Sequence, residues 1–271
     1  MKKITVVLNG TLPPRHVIAA AVQAARAGDA LLHGVFLNCG ETDVDYPFPN
    51  DLALTGSGLT AESEAIDTER LIAANIRVFR DECTAAGVSC ICDQYEETSL
   101  EHLVLQSVYS DLVMADARDG RDDFPLKDLL VEAHCPVYLV APNAGEVQRV
   151  FLAYDGSPSS MYAIKMFSYL FPEWCSLPTC LLSVQEGGNG PVKNEPYIRD
   201  WLPLHFGRLE TCTPSGPVAR ELVHCLEEEA PRSLVVMGAY GRGVVSRFFH
   251  QSLANTVTRE TEASLFIAHE R

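Results

Sequence analysis

The residues best suited to chemistry in this chain lie in one short stretch. Gly238-Ala-Tyr-Gly241-Arg-Gly243 follows the apolar run Ser233-Leu-Val-Val-Met237 and precedes Phe248, Phe249, Leu253, Ala254 and Val257, apolar residues at helical spacing. The order is strand, glycine loop, helix. Glycines let a backbone turn sharply and approach a ligand closely. A helix N-terminus adds unpaired N–H groups and a partial positive charge, so such a loop can cradle a phosphate. The same residues also suit a plain tight turn between strand and helix, and both readings stand at this point.

The elements that position this loop come from an internal repeat. Ile4–Gly10 aligns with Val150–Gly156, Asp111–Ala115 with Ser233–Met237, and Pro136–Ala141 with Ser264–Ala268. Pro142-Asn-Ala-Gly-Glu146 has linker composition. The repeat divides the chain into residues 1–142 and 148–271. Strands are predicted over 3–8, 30–37, 88–94, 111–115 and 136–141, then over 148–154, 178–185, 207–212, 233–237 and 264–268. Helices are predicted over 14–27, 61–86, 98–109 and 125–133, then over 159–170, 194–204, 216–229 and 245–260. Strands that read as continuous apolar runs belong to parallel sheets covered on both faces. Alternating strands and helices give a doubly wound α/β fold, here two five-stranded copies. Ligands in such sheets bind beyond the carboxyl ends of the strands, where strand order reverses. The Asp155 turn and the Gly238 loop both follow carboxyl ends of strands.

The spacing Gly-x2-Gly-x9-Gly-Ser/Thr is the nucleotide loop of the universal stress protein family, and residues 238 to 252 resemble it. Gly238, Gly241 and Ser252 fall in register, while Gln251 stands where the family has its third glycine. Tyr154-Asp155-Gly156-Ser157-Pro158 looks like the end of the family's first strand with its adenine-facing Asp. The resemblance implies an adenine-nucleotide α-hydrolase-like fold in tandem form. It implies that Asp155 accepts a hydrogen bond from adenine and that the Val184 backbone contacts the same ring. Gly238, Gly241, Arg242, Gly243 and Ser252 would surround ribose and phosphates, with Gln251 either filling the phosphate space or turning away. ATP, accompanied by magnesium, is the implied ligand, and a change of shape or partner the implied consequence. Family members of single-unit length pair across their last strands, which implies an intramolecular pseudo-dimer here, Pro136–Ala141 against Ser264–Ala268. A homodimer of the whole chain stays open, as does the protein partner. Taken alone, Asp155 is equally an Asx-turn residue and Val184 a core residue.

The two halves differ at the site. Asn9 replaces Asp155, and Asp116-Ala-Arg-Asp-Gly-Arg-Asp-Asp123 replaces the glycine loop with carboxylates that repel phosphate. The first half instead carries an insertion, Asn38–Thr60, that reads as a long surface loop over a crevice.

Other functions find less support. The chain has no P-loop, zinc motif or nucleophile elbow, and His205, His224 and His250 are not paired in sequence with a nucleophile. Nine cysteines lack ligand spacing and read as buried free thiols in a reducing compartment, with no metal. A net charge of −15 disfavours nucleic acid and anionic membranes. No apolar run approaches the roughly 20 residues that span a bilayer, and Met1–Leu8 reads as a first strand rather than a signal peptide. A cytoplasmic location is expected. Three functions remain: a nucleotide-binding switch, a scaffold that binds no nucleotide, and, with least support, an enzyme acting on ATP.

Overall fold

A computed structural model describes residues 1–38, 61–95, 100–117, 126–185, 190–226, 232–238 and 261–268. In the first half the strands are β1 (Lys3–Asn9), β2 (Leu31–Leu37), β3 (Cys90–Tyr95), β4 (Leu112–Asp116) and β5 (Val137–Val140). In the second they are β6 (Arg149–Ala153), β7 (Pro178–Leu182), β8 (Arg208–Cys212), β9 (Ser233–Gly238) and β10 (Ser264–Ala268). The helices are α1 (Arg15–Gly28), α2 (Ala61–Ala85), α3 (Leu100–Val108), α4 (Leu126–Glu132), α5 (Pro158–Leu170), α6 (Glu195–Trp201) and α7 (Val218–Leu226).

All ten strands form one sheet in the order β3-β2-β1-β4-β5-β10-β9-β6-β7-β8. Each half has the same doubly wound order, with its reversal between β1 and β4 or between β6 and β9. Pairing within each half is parallel; β5 and β10 join antiparallel, with Tyr138 opposite Phe266 and Leu139 opposite Leu265. The fold is therefore the expected pair of doubly wound α/β units joined as a pseudo-dimer.

Local sequence accounts for the element ends. Val17, Ile18, Ala21, Ala24 and Ala25 bury one stripe of α1. That helix stops at Asp29, which adopts the left-handed region at φ 47° and returns its N–H to the Ala25 carbonyl. α5 starts with Ser157, whose side chain accepts from the Ser160 N–H, followed by Pro158 in the first turn. The single helix expected over 194–204 is divided: α6 ends at Trp201 and a short 3₁₀ turn covers Leu202–Leu204. Pro203 has no N–H with which to continue an α-helix.

Helices cover both faces. α1, α2 and α5 pack through Val17, Ile18, Phe79, Ile164 and Phe167 on one side, whereas α3, α4 and α7 pack through Leu103, Leu129, Leu222 and Leu226 on the other. Both clusters run across the two halves. The seam is capped by aromatics: Tyr138 and Phe266 meet Phe171 at 6.2 and 6.1 Å, Phe266 meets Phe167 at 5.6 Å, and Phe171 stacks on Trp174 at 4.4 Å. The edge strand β8 departs from the expected continuous apolar pattern. Residues Arg208 to Thr211 are exposed, and the charges of Arg208 and Glu210 guard an unpaired edge.

Eight cysteines are free in the described residues; Cys39 lies outside them. Burial pushes the Cys135 thiol up to about 12 and the Tyr138 hydroxyl up to about 12.

Two outcomes follow. Phe266 is fully buried, so Phe266→Ala is expected to cost about 3–5 kcal/mol in urea unfolding. The folded state holds the Cys135 and Tyr138 protons more tightly than the unfolded chain, which ionises from the ordinary values of 9.0 and 10.0. Stability is therefore expected to be flat below about pH 9 and to fall as pH rises toward about 12. Urea midpoints across that range check it, with Cys135→Ala/Tyr138→Phe showing a shallower alkaline decline.

Candidate functional site

The second-half reversal of strand order is built from the ends of β6 and β9 and the start of α5. At the end of β6 the Tyr154 N–H donates to the Leu182 carbonyl at 2.9 Å, keeping the chain in register with β7. Asp155 then turns the chain: its Oδ1 accepts from the Ser157 N–H at 2.8 Å. Gly156 takes φ 75°, and a Cβ there would lie 2.7 Å from the Lys193 side chain. The Asn194 side-chain amide donates to the Gly156 carbonyl at 3.1 Å. Asp155 is thus an Asx-turn residue whose carboxylate remains exposed.

Gly238 ends β9 across from this turn, because Leu152 and Val236 are parallel partners. A Cβ on Gly238 would sit 2.5 Å from the Ser159 carbonyl carbon, 2.6 Å from its oxygen and 2.7 Å from the Ser160 nitrogen. The end of β9 and the first turn of α5 pack backbone to backbone, and only glycine permits it. The structure therefore brings Asp155 and Gly238 to the same end of the sheet, on either side of the α5 N-terminus. Val184 is half-buried and sits beyond β7, which ends at Leu182, earlier than the expected 178–185. The next residue, Gln185, donates its N–H to the Pro214 carbonyl at 2.8 Å. Gly241, Arg242, Gly243, Gln251 and Ser252 lie outside the described residues, as do the helix expected over 245–260 and the inserted loop after Asn38.

The first half repeats the turn with different chemistry. Asn9 Oδ1 accepts from the Thr11 N–H at 2.9 Å, the Thr11 hydroxyl at 2.8 Å and the Leu12 N–H at 3.0 Å. The Asn75 amide donates to the Gly10 carbonyl at 2.8 Å, as Asn194 does to Gly156. The two asparagines were not singled out by the sequence; they lie at unequal distances from their turns, so no fixed spacing marks them. Asp116 occupies the place of Gly238, and its Oδ1 lies 3.4 Å from His16 Nε2. Both side chains are largely buried. A carboxylate–imidazole pair thus fills the position where the second half packs glycine. Aligning Asp111–Ala115 with Ser233–Met237 places Asp116 there, but His16 carries no comparable signal.

Among the described residues no helix is long and apolar enough to cross a membrane.

Comparison with solved structures gives the same architecture. A universal stress protein from Archaeoglobus fulgidus DSM 4304 superposes with a TM-score of 0.70 at 13% identity, over 98% of each chain. A provisionally assigned universal stress protein from Pseudomonas aeruginosa UCBPP-PA14 superposes with a TM-score of 0.61 at 15% identity, over 99% of this chain and 93% of the other. A functionally unknown protein from Pseudomonas aeruginosa PAO1 gives 0.57 at 15% identity, over 99% and 92%. No family model and no curated protein matches the sequence. The chain has the fold of the universal stress proteins across its whole length.

The Gly238 packing yields a direct test. Gly238→Ala is expected to destabilise the fold by about 1–3 kcal/mol, because backbone rather than a mobile side chain stands in the way. Gly145, where a Cβ would meet nothing within 4 Å, supplies the control: Gly145→Ala is expected to leave the urea midpoint unchanged.

Proposed function

We propose that this chain is a universal stress protein of tandem form, with one unit over residues 1–142 and a second over 148–271. The second unit binds an adenine nucleotide, ATP with magnesium, and works as a regulatory switch rather than a catalyst. The observation that carries this reading is the placement of Asp155 and Gly238. They flank the α5 N-terminus at the carboxyl ends of β6 and β9, which is where ligands bind in open α/β sheets. The sequence after Gly238 continues with the glycine spacing of the nucleotide loop.

In this reading Asp155 faces the adenine while its Oδ1 holds the turn, the Val184 backbone lines the ring, and Gly241, Arg242, Gly243 and Ser252 surround ribose and phosphates. The first unit does not bind the nucleotide: the His16–Asp116 pair sets an acidic group where a phosphate loop would begin. The protein works in the cytoplasm through a protein partner, as an intramolecular pseudo-dimer. One feature favours a second reading, an interaction scaffold without nucleotide: Gln251 replaces the glycine that would let backbone approach the phosphates.

Isothermal titration of ATP with magnesium separates the two, using wild type and Asp155→Asn. Asparagine performs the same turn at position 9, so Asp155→Asn is expected to keep the turn, checked by an unchanged urea midpoint, while replacing the second carboxylate oxygen with a donor amide. Micromolar binding to wild type that weakens at least about tenfold in the variant, about 1.4 kcal/mol, is the expected result. No heat with either protein would give the scaffold reading. Steady-state phosphate release from ATP would overturn the non-catalytic assignment.

A further inference from the structure

The outer edge of the second half carries a cluster that sequence spacing conceals. Cys180 on β7 stands opposite Glu210 on β8, and Leu182 opposite Cys212. Alternate strand residues share a face, so Cys180, Glu210 and Cys212 project to one side, the side on which α7 packs through Leu222 and Leu226. Their two sulfurs and a carboxylate oxygen lie within 4.8 Å of one another, the one such group among the described residues. Cys180 is fully buried and Cys212 half-buried, while the Glu210 side chain is 54% exposed. Arg149 forms an ion pair with Glu210. Cys225 on α7 is near enough to feel the charge of Cys212.

We propose that Cys180, Glu210 and Cys212 form a binding site for a thiophilic divalent cation, Zn²⁺ by the chemistry of the donors.

Two thiolates and a carboxylate are a zinc ligand set. Tetrahedral ligation with sulfur about 2.3 Å from the ion sets ligand atoms roughly 3.5–3.8 Å apart. A set already within 4.8 Å closes on the ion by small side-chain rotations, with no strand displaced. The fourth position falls to water or to Cys225. With water in the fourth position charge also balances: two thiolates and one carboxylate meet a dication and the Arg149 guanidinium, leaving no net charge. Arg149 holds Glu210 and so orients a ligand, as outer groups do in metal sites. The exposed carboxylate gives the ion a route in, while the sulfurs sit against the apolar residues under α7. Zinc takes cysteine as thiolate, so binding releases protons and tightens as pH rises.

The other group of neighbouring thiols, Cys83, Cys90 and Cys92, lies on the opposite face of the first half and serves as the internal control. The test uses the full chain, reduced and stripped with a chelator, titrated with Co²⁺ and then competed with Zn²⁺. One equivalent of Co²⁺ is expected to produce a thiolate-to-cobalt charge-transfer band and tetrahedral d–d absorption, both erased by Zn²⁺. Cys212→Ser is expected to remove most of the charge-transfer intensity and to lower Zn²⁺ affinity by more than the roughly 10–100-fold that outer-group losses cost. Glu210→Gln, at an exposed position that leaves the fold intact, is expected to keep the band and lose at least about tenfold in affinity. Cys90→Ser is expected to change neither. No band in wild type overturns the site, as does an unchanged band in Cys212→Ser or one lost in Cys90→Ser. If Cys212→Ser fails to fold, an unchanged affinity in Glu210→Gln overturns it alone.

Discussion

The antiparallel pairing of β5 with β10 governs the rest of the molecule. Each strand is buried throughout and apolar but for Ser264, Val137–Val140 and Ser264–Ala268, and each would otherwise be the open edge of a five-stranded sheet. An exposed apolar edge invites aggregation. Pairing satisfies both backbones, and the Ser264 hydroxyl extends the ladder by accepting from the Ala141 N–H at 3.1 Å. Tyr138 and Phe266, opposite each other in that pair, then carry the aromatic cap supplied by Phe167, Phe171 and Trp174. The cap comes from the second half alone. The corresponding helix of the first half buries alanines, Ala21, Ala24 and Ala25, where α5 buries Phe167.

The same pairing fixes where ligands can sit. Strands are parallel within each half and antiparallel across the seam, so the carboxyl ends of β1 and β4 point opposite to those of β6 and β9. The two reversals of strand order therefore open at opposite ends of the sheet. The turn at Asn9 and the turn at Asp155 are thus separate places on the sheet. This explains how Asp116 and His16 can occupy the first-half position without disturbing the turn at Asp155.

Much of this architecture was legible in the sequence, because a buried parallel strand announces itself as an unbroken apolar run and α1 as an alanine-rich stripe. The β5–β10 seam was legible only through family resemblance, since an apolar strand does not name its partner. β8 was less clear: at an edge, polar residues protect rather than contradict a strand, and Arg208–Cys212 has no apolar run to find. Pro203 gave notice of the break after α6, yet the apolar spacing across it still read as one helix. At the candidate site, the Asp155 turn and Gly238 were found by type and position. The His16–Asp116 pair and the Cys180–Glu210–Cys212 group were not, because each joins residues far apart in sequence, the first where α1 packs on the end of β4 and the second through the register of β7 with β8.

The two turns together separate structural demand from the rest. Gly238 is required by packing whether or not a ligand binds, since a Cβ would strike the backbone of Ser159 and Ser160. The glycine is therefore weak evidence for a phosphate. Asp155 differs. Its turn needs one acceptor oxygen for the Ser157 N–H, and in the first half an amide does the same work while accepting three donors. Nothing in the turn calls for a charge. The carboxylate at 155 sits exposed beside the buried Tyr154, whose hydroxyl it helps push up. What distinguishes the second turn is an exposed carboxylate at the carboxyl end of the sheet, beside its strand reversal, where the first turn carries an amide.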